Sequence, residues 1–203
     1  MRDFSKVVDK NIVEETIKNL KERGMDAFFV ETGKEAKEKA LELMTLGARV
    51  LASSSQTLDK IGLSEEIDNS GKYVSVRKEY MGFDHEKEAD KIRIARSTPD
   101  IIAASVHAVT RKGEVLIASN TGSQLAGDVA GAEKAIWVVG TQKIVEDLDE
   151  GFKRIYEYIL PLESERLKKV YGVPSNVSKL LIVNKEIVPG RITIIFVNEA
   201  LGF

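Results

Sequence analysis

The run Ala48-Arg49-Val50-Leu51-Ala52-Ser53-Ser54-Ser55-Gln56-Thr57 passes from an apolar strand into a hydroxyl-rich bend and then into the start of a helix. A second run repeats the pattern: Val115-Leu116-Ile117-Ala118 leads into Ser119-Asn120-Thr121-Gly122-Ser123-Gln124. A helix start carries unpaired backbone N–H groups and the positive end of the peptide dipoles. Small side chains let a ligand approach that backbone closely. Two such bends in one chain predict a pocket for a small anionic metabolite. Its ligand-binding residues would be Ser53, Ser54, Ser55, Thr57, Asn120, Thr121, Gly122, Ser123 and Gln124.

Outward from the first bend, strands and helices alternate. Helical spacing over about 10–23 (Ile12, Val13, Ile17, Leu20) stops at Gly24, and Asp26 to Glu31 follows as a strand. Lys34 to Leu46 reads as a helix, Arg49 to Ala52 as a strand, Thr57 to Leu63 as a short helix and Tyr73 to Val76 as a short strand. Asp84 opens a helix to about Arg96. The apolar stretch Ile101 to Thr110 reads as a strand covered on both faces. Val115 to Ala118 returns from a tight turn as a strand, a small helix spans about Ser123 to Ala130, and Ala135 to Val139 is a further strand. A long helix from about Lys143 to Leu160 is kinked or ended by Pro161, and a shorter one runs from Glu163 to Tyr171. Leu180 to Val183 and Ile192 to Val197 read as a hairpin turned at Pro189-Gly190. The expected fold is α/β: a mainly parallel, doubly wound sheet flanked by helices, with a C-terminal β-hairpin appendage. One domain should span 1–203, with its core at about 10–172 and the hairpin at about 178–200.

Composition narrows the function classes. The chain has 203 residues, 43% of them hydrophobic, and a formal net charge of -2, so nothing points to nucleic acid. No apolar run approaches the roughly 20 residues of a membrane-spanning helix, and the N-terminus lacks the apolar core of a signal peptide. A cytoplasmic protein is expected. There is no cysteine, which rules out disulfides, thiolate catalysis and cysteine-ligated clusters. With only two histidines, His85 and His107, no metal site and no cofactor are expected. Charged residues at 31% and only three glutamines also fit a heat-adapted protein.

Several motifs together resemble one family. Ser55-Gln56-Thr57-Leu58-Asp59-Lys60-Ile61-Gly62-Leu63 is similar to a signature of the LUD domain, the lactate-utilisation protein C family. So are Ala103 to Glu114, Asn120 to Ala126, Val138 to Val145 and Pro161 to Arg166, in that order. The resemblance runs from about Glu14 to the C-terminus. It implies a fold related to ribose-5-phosphate isomerase, glucosamine-6-phosphate deaminase and CoA transferases, with the active site at the two bends. It also implies work beside iron–sulfur oxidoreductase subunits in oxidising lactate to pyruvate. The chain departs from the pattern at Ser123-Gln124, where many members carry Asn-Arg. The missing guanidinium removes a bidentate anion clamp.

Other residues carry two readings each. The serines either touch a ligand or cap a helix, a role worth roughly 1 kcal/mol. His107, in an apolar stretch, is either a catalytic proton carrier or a hydrogen-bonded core histidine. Glu114 is either a covalent carboxylate, as in CoA transferases, or a solvated turn charge. Arg191 either replaces the missing clamp from the hairpin or is a plain turn charge. The apolar terminal strands are expected in the core or in a homodimer contact. Three functions stay open: organic-acid binding tied to lactate utilisation, a self-contained isomerase or acyl/CoA transferase, and a non-catalytic assembly subunit of an iron–sulfur complex. No Gly-x-Gly-x-x-Gly fingerprint supports dinucleotide binding.

Overall fold

The computed structural model describes residues 2–203. In chain order the elements are α1 (Lys10–Glu22), β1 (Asp26–Val30), α2 (Gly33–Leu43), β2 (Arg49–Ala52), α3 (Gln56–Lys60), α4 (Leu63–Asn69), β3 (Val74–Ser75), α5 (Val76–Met81) and α6 (Ala89–Ser97). Then come β4 (Ile101–Ala104), β5 (Ala108–Thr110), β6 (Val115–Ser119), a π-helical turn (Gly127–Gly131), β7 (Lys134–Gly140) and β8 (Ile144–Val145). The chain closes with α7 (Leu148–Lys153), a π-helical stretch (Arg154–Ile159), α8 (Leu160–Tyr171), β9 (Lys179–Val183) and β10 (Ile192–Val197).

Six strands form one sheet in the order β1-β10-β7-β4-β2-β3, every neighbouring pair parallel. Its period-two pattern sorts side chains onto two faces. Leu51, Ile102, Trp137, Ile194 and Phe196 turn one way, against α1 and the small sheet described below. Val50, Ala103, Ile136, Val138 and Ile195 turn the other way, against Ala36 and Ala40 of α2, Leu58 of α3 and Leu63 and Ile67 of α4. Both faces are covered, as a parallel sheet requires. From β2 the chain moves outward to β3, whereas from β4 it moves the other way to β7. The carboxyl ends of β2 and β4 therefore face a crevice at which the chain's direction across the sheet reverses.

Three expectations are corrected. First, the terminal strands are not a hairpin. β9 joins a second, four-stranded sheet, β8-β5-β6-β9, while β10 inserts between β1 and β7 in the large one. Every residue of β10 is buried, the uniform pattern of a central parallel strand and not that of an appendage. Second, Ile101–Thr110 is two strands in two sheets. Ser105-Val106-His107 carries the chain from β4, in the large sheet, to β5, in the small one. Third, the helix read from Lys143 begins only at Leu148, capped by Asp147, whose carboxylate accepts the Glu150 N–H at 2.9 Å. Pro161 neither ends nor breaks it. The preceding stretch is π-helical, its last bond running from Leu160 N–H to Ile155 O, and Pro161 stands at the change back to ordinary α turns, where its missing N–H is tolerated.

The position of β10 is testable. Phe196 is fully buried, in register with Phe29 and Val139. Phe196→Ala should destabilise the fold by about 3–5 kcal/mol in chemical denaturation, the range for emptying an aromatic core site. A loss below about 0.5 kcal/mol, typical of a surface position, would contradict this placement.

Candidate functional site

A cleft of about 480 Å³ opens at the carboxyl ends of the large sheet's strands. β2 delivers Ser53, Ser54, Ser55 and Thr57 to it. β4 delivers Ser105 and His107, and the turn after β7 delivers Lys143. Asn120, Thr121, Ser123 and Gln124 arrive from β6 of the small sheet, which lies over this end, and Gly202 and Phe203 follow β10. The far wall is helical and mixed, with Ile155, Ile159, Leu160 and Leu167 beside the paired Glu163 and Arg166 and the Tyr171 ring.

The bends hold fewer free donors than their sequences promise. Ser55 caps α3, its Oγ accepting the Leu58 N–H at 3.4 Å, and α3 is only five residues long. In the second bend, Ser119 Oγ accepts the Gly122 N–H at 2.9 Å and donates to Gln124 Oε1 at 3.1 Å, while Thr121 Oγ1 accepts the Ser123 N–H. These groups are spent on the bend itself. Gly122 does not line the cleft. Its φ is +81°, and a Cβ there would lie 2.7 Å from the Lys179 side chain, so backbone conformation and close packing explain the glycine. The hydroxyls of Ser53 and Ser54 have no protein hydrogen-bond partner among the described residues.

Positive charge at the floor comes instead from Lys143, which hydrophobic patterning did not single out. Only 4% exposed, it donates from Nζ to Thr57 Oγ1 at 3.1 Å and to Ser105 Oγ at 3.0 Å. No carboxylate pairs with it among the described residues. Thr57 Oγ1 gives its own proton to the Leu201 carbonyl at 3.0 Å, so toward Lys143 it can only accept. Burial, and secondarily the Arg154 cation, lower the Lys143 pKa to about 7. Arg154 is fully buried and also lacks a carboxylate. Its Nε donates to the His107 carbonyl and its Nη1 to the Phe4 carbonyl, each at 3.0 Å, while Nη2 has no partner. Burial lowers its pKa to about 10, and the Phe4 and Tyr158 rings lie 5.6 Å and 5.2 Å from its guanidinium. At the rim, Arg77 donates to the Ala52 carbonyl at 2.8 Å, and Arg166 is held by Glu163 in a two-bond fork at 2.7 Å.

His107 presents one ring nitrogen to the cleft. Nδ1 accepts the Ala118 N–H at 3.1 Å, so the proton of the neutral ring sits on Nε2. Burial, then Lys143 and Arg154, push the pKa down to about 3. The ring is therefore a neutral hydrogen-bond donor. To carry a proton it would first have to give up its bond from Ala118.

Two candidates lie elsewhere. Glu114 sits in the β5–β6 turn, paired with Arg23 at 2.6 Å and bonded to Thr110 Oγ1, away from the cleft. Arg191 precedes the amino end of β10, opposite the cleft. It is bound to Glu186 at 2.5 Å and to the carbonyls of Asp128 and Val129 at 3.0 Å and 2.8 Å. Neither residue reaches a ligand in the cleft.

The family model for the LUD domain matches residues 13–197 of the chain. The fold is also that of a DUF162 family protein from Deinococcus radiodurans, known from a crystal structure at 1.70 Å resolution. The two share a TM-score of 0.57 at 13% identity, over 93% of this chain and 97% of that one. No curated protein is similar enough in sequence to match.

Two consequences follow for solution behaviour. An unfolded lysine keeps its proton to about pH 10.4, whereas Lys143 releases it near 7 on folding. Between these values the unfolded chain binds more protons, so Lys143 makes stability rise with pH across that window. Urea unfolding at about pH 7 and about pH 9.5 should show a steeper rise for the parent than for Lys143→Met. Equal slopes would contradict a buried, unpaired amine. The imidazole nitrogen shifts of His107 should report a neutral Nε2–H tautomer throughout about pH 5–8; a titration near the ordinary histidine value would contradict the Ala118 bond.

Proposed function

Because the chain belongs to the LUD domain family, we propose that it serves the use of lactate or a related small organic acid, whose carboxylate it binds over Lys143. The observation carrying this reading is the buried lysine with no carboxylate of its own, reinforced by the positive field of Arg154. A charge taken out of water without a partner is costly, and an anionic ligand removes that cost. Ser53 and Ser54 supply free hydroxyls, and the His107 Nε2–H reaches a hydroxyl or carbonyl oxygen of the same ligand. These positions supply the charge complement that the missing Arg of the second bend does not.

The cleft exceeds what a three-carbon acid fills, and Ile155, Ile159, Leu160 and Leu167 on its helical wall give an apolar substituent a surface to pack on. Electrons from oxidising such an acid need an acceptor. A chain without cysteine cannot supply a cysteine-ligated cluster, so an iron–sulfur partner subunit fits this role. The self-contained isomerase or transferase reading is weaker, since it needs an acid–base pair and the one histidine in the cleft is fixed as a neutral donor.

Calorimetric titration with lactate, pyruvate, 3-phenyllactate, hexanoate and a sugar phosphate tests the reading. At least one carboxylate should bind, and Lys143→Met should weaken it at least tenfold, about 1.4 kcal/mol. No binding across the panel, or equal binding by the variant, would refute it.

A further inference from the structure

Lys143 is the one buried lysine among the described residues. A buried amine in a ligand cleft without a carboxylate partner has two uses: as an ammonium it holds an anion, and as a free amine it attacks an electrophile. Its hydrogen bonds bear on the second use. Because Thr57 has given its hydroxyl proton to the Leu201 carbonyl, its oxygen takes an N–H from Lys143 and cannot cap the amine's lone pair. The second contact goes to Ser105 Oγ. The Thr57 contact must therefore use an N–H of the amine, which does not occupy the lone pair, and Lys143 itself lines the cleft. A second cation nearby, Arg154, disfavours protonation, the device by which a lysine is held nucleophilic near neutral pH.

We propose that Lys143 is the cleft's nucleophile and forms a covalent imine with the carbonyl carbon of a 2-oxo acid. The Nζ lone pair forms a bond to C2. The C2–O bond then breaks, and the oxygen leaves as water with the two protons of the amine. No electrons are exchanged and no co-reactant is required. The His107 Nε2–H stands in the same cleft as a neutral donor for the carbonyl oxygen while the bond forms. This inference deepens the acid-binding reading and rests on it. It places the oxidised, carbonyl-bearing partner of a hydroxy acid among the ligands.

The test is reductive trapping on the full chain. Protein is incubated with pyruvate and cyanoborohydride at neutral pH, and the modified lysines are mapped by peptide mass spectrometry. A 1-carboxyethyl adduct at Lys143, at least tenfold above any other lysine and suppressed by excess lactate, is the expected result. Adducts scattered over surface lysines without enrichment at Lys143, or no adduct at all, would overturn the proposal. Lactate titration of the same sample separates the two readings. Lactate binding without trapping defeats the imine and leaves the acid site standing, whereas no trapping together with no binding by any carboxylate of the panel defeats both. Parent protein suffices throughout, so the test does not depend on a Lys143 variant that folds.

Discussion

The organising constraint of this molecule is a lysine amine that the fold buries without a counter-charge. Lys143 Nζ rests on two hydroxyl oxygens, those of Thr57 and Ser105, and on nothing anionic. Buried lysines are ordinarily paired. Leaving one unpaired costs stability, and the cost is held here by elements with no freedom to relax. Thr57 is fixed from behind by the Leu201 carbonyl, and Gln142, beside Lys143, is fixed by the same carbonyl at 3.0 Å. The segment after β10 thus locks the turn after β7 to the bend after β2. Gly202 is part of that lock: its φ of +68° and the 2.7 Å between a would-be Cβ and Thr57 Oγ1 leave no room for a side chain.

The sheet explains why these groups meet. Three adjacent strands, β2, β4 and β7, run parallel and end at one edge, so their following turns converge. Thr57, Ser105 and Lys143 come from these three turns. β10, inserted beside β7, sends the chain's last residues to the same edge. The small sheet roofs this end with the second bend, and Arg154 ties the helical wall to the link between β4 and β5 through the His107 carbonyl. Function thus depends on strand order more than on any local motif.

Much of this order was legible in the sequence, and the failures have physical causes. Alternating strands and helices identified a parallel α/β sheet, because both-face burial writes continuous apolar runs. The same continuity hid the break at Ser105-Val106-His107, since Ser105 is small, Val106 is apolar and a single histidine does not interrupt a strand pattern. Ile192–Val197 followed a turn at Pro189-Gly190 and so looked like half of a hairpin. Its unalternating pattern, Ile-Thr-Ile-Ile-Phe-Val, was the clue to a central strand. The two bends were visible by composition, yet their hydroxyls turn largely on their own backbones. Lys143 and Arg154 were not visible, because lysine and arginine in a chain that is 31% charged are ordinarily on the surface. The available signal for Lys143 was positional: it stands just past the carboxyl end of the apolar run Ala135–Val139, where ligand-facing residues of such sheets collect.

The charge state of one amine decides whether the floor of the cleft is a site for an anion. Carbon-13 NMR of lysine labelled at Cε, with the Lys143 signal assigned by its loss in a Lys143→Arg variant, measures it directly. The amine should titrate near pH 7 in the free protein and move upward when a bound carboxylate supplies the missing counter-charge. Titration at the ordinary lysine value of about 10.4, unmoved by any carboxylate, would show that the floor of the cleft is neither dry nor unpaired.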